Sequence, residues 1–180
     1  NKRKERKMEL LEIMRKRRSI RKYTQEEVPE EKLEMILQAG LLSASGRRIR
    51  PWEFIVVRDK ESLKAMSGCR VGAAKMLEGA DCAVVVIADA GKTDVWTEDC
   101  SIAMSNMHLM ADSLGIGSCW IQGRLREAEK GTAEEYLRQL LHYPENFKLE
   151  AILSLGIPAE HPKPHTLAEL ETAKIHRERY

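Results

Sequence analysis

The stretch Leu114–Gly123, LGIGSCWIQG, sets two glycines one residue apart between a helix-like run and an apolar segment. Strand-like and helix-like segments alternate along the chain, and that alternation alone suggests a parallel, doubly wound sheet. Such sheets carry G-x-G-x-x-G after a strand, where the loop opens a helix and cradles a pyrophosphate. Here Gly115 and Gly117 close a helix and lead into the strand SCWIQ, so they cannot serve in that way. No strand is followed by that fingerprint, and a P-loop is absent too.

Reading outward, the helix that these glycines end runs from Val95 to Leu114, with Ile102, Ala103, Met107, Leu109, Met110 and Leu114 among its buried candidates. Before it, Cys82–Asp89 (CAVVVIAD) is apolar throughout, which predicts a strand covered on both faces. Trp52–Asp59 is β-branched and aromatic, another strand, and short helices are expected at Lys60–Met66 and Val71–Leu77. In VPEEKLEMILQAGLL, Pro29 and the acids after it suit a first turn, and Leu33, Ile36, Leu37 and Leu41 repeat at helical spacing. Met8–Arg17 reads as a helix with Leu10, Leu11, Ile13 and Met14 on one side. Downstream come a helix near Ala133–Leu141 and a strand at Leu149–Gly156. The segment after Gly156 has three prolines and little periodicity, so it is expected to wrap over something else. The sum is four strands and five or six helices in a single domain over residues 1–180, with no repeat or interior linker.

The charge pattern narrows the partners. Arg17–Tyr23, RRSIRKY, packs four cations and a hydroxyl into seven residues, which could serve a nucleic acid, a membrane surface or one phosphate. Net charge is only +2, with 28 acids against 30 bases, so the cluster is local and favours a small anion over a long polyanion. No run of 18 apolar residues exists to span a membrane. Cys69, Cys82, Cys100 and Cys119 form no C-x-x-C pair, so they read as reduced cysteines of a cytoplasmic protein, and no metal site is expected. Cys100, Cys119 and Trp52 read as core, and His108 as packed rather than catalytic. Alone, the arginines could be a solvated basic face, and Ser19 could cap a turn.

Two physical fits stand beside that reading. Arginine offers a planar fork that meets phosphate oxygens in pairs, so Arg17, Arg18 and Arg21 with Ser19 could fix a phosphate. The loop SASGRRIRP offers small residues (Ser43, Ala44, Ser45, Gly46) and charged donors (Arg48, Arg50), which suit a flat ring with a polar rim.

In order and spacing, RRSIRKY, SASGRRIRPWEFIVV, CAVVVIAD, LGIGSCWIQGR and SLGIPAEHPKP resemble the FMN-dependent nitroreductase family, and its short, compact members in particular. The resemblance covers about Met8 to Tyr180. It implies an α+β fold, with a mainly antiparallel sheet of four to five strands wrapped by helices. It also implies an intertwined homodimer that holds two FMN molecules at the subunit interface. Carried over residue by residue, Arg17, Arg18, Ser19 and Arg21 match positions that hold the phosphate and ribityl chain. Ala44, Ser45 and Gly46, on to Arg48 and Arg50, match the segment against the flavin ring, typically from the other subunit. Ile121, Gln122 and Gly123 match the strand end that faces flavin N5, and Lys163 and His165 match late basic positions that close on the phosphate. The tail over 155–180 is expected to pack on the partner subunit.

Three positions depart from the family's habit: Arg48 stands where Asn is common, Arg50 where Gln is frequent, and His165 where Arg is frequent. An arginine near the pyrimidine edge would stabilise anionic reduced flavin, so Arg50→Gln is expected to lower the reduction potential in a redox titration; an unchanged potential would remove that role. The implied activity is transfer of hydride from NADH or NADPH through FMN to a nitroaromatic, a quinone or a similar small electron acceptor. No side chain is expected to act as nucleophile or acid. Other readings stay open: the same fold with another acceptor (dehalogenation, enone reduction or flavin fragmentation), or flavin binding without turnover. Trp96 could open a helix or form a lid beside the flavin.

Overall fold

The computed structural model describes residues 2–180, with side chains from residue 9 onward. Four strands, β1 (Trp52–Val57), β2 (Cys82–Asp89), β3 (Gly117–Gln122) and β4 (Phe147–Gly156), form one sheet in the order β1-β2-β4-β3. Every neighbouring pair is antiparallel. The parallel sheet that alternation suggests is therefore absent, as the misplaced glycines foretell.

The helices are α1 (Lys2–Lys16), α2 (Glu30–Leu41), α3 (Lys60–Met66), α4 (Trp96–Ser113) and α5 (Ala133–Leu141). They explain why β2 lacks polar alternation. Val84 and Val86 enter a core with Leu33 and Ile36 of α2 and Met104 and Met107 of α4. Val85 and Ile87 enter a second core with Leu63 and Met66 of α3 and Leu137 of α5. A strand between two helical layers has no wet face.

Local chemistry sets the ends. Asp59 caps α3 by accepting the Ser62 N–H at 2.9 Å. Thr132 and Glu135 form a reciprocal capping box on α5. Gly40 lets α2 approach, since a Cβ there would lie 2.8 Å from the Phe54 ring and 2.9 Å from Met107 Sδ.

Two expectations need correction. Residues 71–77 hold no α-helix: Gly72 takes φ +73°, and only a 3-10 turn forms, at Lys75–Glu78. Ile102 is 40 % exposed, because it lies on the side of α4 away from both the sheet and α2. On α1, Leu10, Leu11 and Met14 are each about half exposed, while Ile13 is half-buried.

Candidate functional site

β3 is an edge strand, and its outer edge is where the basic stretch lies. Ile20 N–H donates to the Ser118 carbonyl at 2.9 Å, and Thr24 N–H donates to that of Ile157 at 2.8 Å. Two glycines admit this close approach. A Cβ on Gly117 would sit 2.9 Å from Ile20 Cγ2, and one on Gly156 would sit 2.6 Å from the Tyr23 ring. The Tyr23 hydroxyl bonds the Ile20 carbonyl at 2.6 Å and Ser154 Oγ at 2.7 Å, which fixes the end of the stretch.

The basic stretch also acts electrostatically on Cys119. Burial pushes that thiol above its ordinary value, and Arg21 first, then Ser19 and Arg17, oppose the rise. Arg17 Nη1 also lies 2.9 Å from His108 Nε2. Arg18 is engaged differently: its Nη1 donates to the Lys163 carbonyl and so ties the tail to the stretch. The tail returns again where Arg15 Nη1 donates to the His165 carbonyl at 2.8 Å. Lys163 and His165 are thus brought beside the basic stretch, but the His165 ring is paired with Glu169 at 3.1 Å.

The second expected group sits at the other end of β3. Ser118 turns its carbonyl outward, and strand alternation turns the backbone of Trp120 and Gln122 the same way. Gly123 N–H already donates to the Glu150 carbonyl at 3.3 Å, so the outward donor at this end belongs to Gln122. Gly123 is required by packing, because a Cβ there would lie 2.5 Å from Leu149 Cδ2. Ile121 is buried in the second core. From Cys119 to Gly123 the strand rises about 13 Å, a length that suits a phosphate at one end and a ring edge at the other. Beyond Gly123 a cavity of about 290 Å³ is lined by Trp96, Arg124, Arg126 and Thr132, among others. The Arg124 guanidinium lies 5.8 Å from the Trp96 ring.

The third group stands apart. Among the described residues, the loop from Ala44 to Arg50 makes no hydrogen bond to the basic stretch or to the end of β3. It is tied instead to α4: Asp99 accepts the Gly46 N–H at 2.9 Å and the Ser45 hydroxyl at 3.2 Å. Ser45 Oγ accepts the Arg50 N–H at 2.8 Å. Arg47, Arg48 and Arg50 take φ of 53°, 59° and 50°, a left-handed backbone that costs a non-glycine residue free energy. The Arg48 and Arg50 side chains are exposed.

Sequence reasoning missed Asp99, and it read His108 as packing. Each touches a residue more than fifty positions away, and no local pattern signals that. Glu150 was also missed. It occupies the irregularity in β4 opposite Val86 and Ile87 and is buried, with burial raising its carboxyl above the usual range. Among the described residues no group of three or more metal-ligating side chains forms, and no helix is long and apolar enough to cross a membrane. All four cysteines are free and buried.

The donors present fit FMN: a basic cluster with a hydroxyl, an outward strand edge, and a small-residue loop rimmed by arginine. Comparison with known proteins points the same way. The profile of the nitroreductase family matches residues 14–70 and 67–157. An FMN-dependent nitroreductase from Clostridium difficile R20291 superposes with a TM-score of 0.92 at 45% identity, covering 94% of this chain and 99% of that one. A protein of Archaeoglobus fulgidus, provisionally named an NADH dehydrogenase/NAD(P)H nitroreductase, is 38% identical over 96% of this chain and 99% of its own length. A provisionally assigned nitroreductase from Desulfovibrio desulfuricans, solved in complex with FMN, superposes at 0.74 with 27% identity over 95% of this chain and 97% of that one.

Proposed function

The chain belongs to the nitroreductase family, and from that premise we propose that it is an FMN-dependent oxidoreductase. It would take electrons from NADH or NADPH and deliver them to an electron-poor small molecule such as a nitroaromatic or a quinone. The observation that carries this reading is the basic stretch laid along the open edge of β3, where the Ile20 N–H donates to the Ser118 carbonyl.

In this reading Arg17, Ser19 and Arg21 grip the phosphate, with Lys163 adding charge from the tail. Arg18 serves the site indirectly by holding the tail in place. His165, paired with Glu169, contributes less than the arginine frequent at that position would. The outward N–H of Gln122 is aimed at the N5 edge, while Trp96 and Arg124 wall the cavity beyond it. Ala44, Ser45, Gly46, Arg48 and Arg50 would meet the ring of the partner's flavin, which accounts for their separation from the other two groups within one chain. Bound FMN would supply the hydride chemistry, accepting from the nicotinamide and passing to the acceptor. The protein contributes binding, orientation and electrostatics, and no side chain is assigned a proton-transfer role.

A homodimer follows from this reading. Leu10, Leu11 and Met14 of α1 and Leu167, Leu170 and Ile175 of the tail are about half exposed or more in one chain. So much apolar surface on two neighbouring segments suits an interface. The test is the absorption spectrum of the purified protein. Flavin bands should bleach when NADH or NADPH is added and return with a nitroaromatic or a quinone; bands that never bleach with either nucleotide would refute the oxidoreductase reading.

A further inference from the structure

We propose that His108 is a positioning residue that sets the Arg17 guanidinium for the flavin phosphate, an inference that rests on the phosphate reading of that arginine. Arg17 Nη1 and His108 Nε2 are 2.9 Å apart, and a guanidinium can only donate. Nε2 must therefore carry the lone pair, and the ring proton sits on Nδ1. That nitrogen lies 2.5 Å from Ser118 Oγ, which accepts. One arrangement of protons satisfies both contacts, and it requires a neutral imidazole.

The surroundings enforce that state. His108 is 7 % exposed, and burial first, then the Arg17 cation, push its pKa down to about 4. Asp112, one turn further along α4, also feels the Arg17 cation, and burial lifts its carboxyl above the usual range. The ring bridges two elements, for it sits on α4 while Ser118 sits on β3, and the Ser118 carbonyl holds Ile20. Arg17 is thereby fixed through its side chain, and the stretch that carries it is fixed through its backbone.

With Nη1 taken, the Nε and Nη2 of Arg17 make no hydrogen bond among the described residues. That pair is one edge of the planar fork, and two phosphate oxygens fit an edge side by side. Without His108 the charge would remain but the fork would be free to rotate. The effect should fall on recognition of the phosphate and spare the ring.

The experiment titrates full-length apoprotein with FMN and, separately, with riboflavin, which lacks the phosphate. Wild type should prefer FMN strongly. His108→Leu should weaken FMN binding about tenfold, the scale of one charge-assisted hydrogen bond, and leave riboflavin within about twofold. His108→Gln, which offers an acceptor and a donor on one side chain, should recover most of the FMN affinity. In an Arg17→Met background, adding His108→Leu should cost nothing more. Wild type that holds riboflavin as tightly as FMN overturns the phosphate reading and this inference with it. Wild type that discriminates, with His108→Leu discriminating equally well, overturns the inference alone, as does equal loss of both flavins in His108→Leu.

Discussion

A guanidinium placed for a phosphate is held best when its other donors have an acceptor, and the lone pair of His108 provides one for Arg17. A neutral buried histidine has a consequence for stability. The unfolded chain takes up a proton near the ordinary histidine value of 6.5, whereas the folded chain resists until about 4. Between those values the unfolded state binds more protons, so stability falls as pH drops through the window. The loss is on the order of 3 kcal/mol if it runs to completion. Urea unfolding at a series of pH values should show a steeper acid-side decline for wild type than for His108→Gln; parallel curves would contradict the assignment. At this scale the sequence is half legible. Arg17, Ser19 and Arg21 stand out because cations and a hydroxyl crowd seven residues. Their supports do not, because His108 lies 91 positions from Arg17 and meets it only through the fold.

Among the elements, the loop from Ser43 to Arg50 depends on α4. Asp99 is 2 % exposed and accepts from both Gly46 and Ser45, and Asn106 donates to Ser43 Oγ at 2.8 Å. Three left-handed arginines need such anchoring, since strained backbone persists only where its surroundings fix it. Asp99→Ala should therefore cost about 2 kcal/mol, because it leaves a backbone donor unpaired. Thermal unfolding measures this, and an unchanged midpoint would show that the loop holds itself. Most elements were legible: the apolar run of β2 demanded cover on both faces, and α2 and α4 announced themselves by period. The segment 71–77 was not, because a few apolar residues at helical spacing cannot outweigh a glycine in left-handed backbone at position 72. The apolar side of α1 was read correctly as a stripe, but sequence periodicity cannot say whether such a stripe is covered within the chain.

For the whole molecule, the central question is what covers the tail. Residues 157–180 make one bridge, from Pro158 to Tyr23, and two short 3-10 turns, at Leu167–Glu169 and Thr172–Lys174, and the segment has no core of its own. Its ties to Arg15 and Arg18 bring Lys163 and His165 beside the basic stretch, so the tail joins the proposed phosphate site to the proposed interface. A chain ended after Gly156 should lose dimerisation and flavin together, as read by light scattering and absorbance. A truncated chain that remains dimeric and yellow would remove the tail from both roles. The most direct test of the account is the flavin content of the full-length chain after incubation with FMN and gel filtration. One FMN per chain, falling sharply in an Arg17→Ala/Arg21→Ala variant that keeps its fold, is the predicted result. A folded wild-type chain that emerges colourless, or a variant that stays fully loaded, would contradict it.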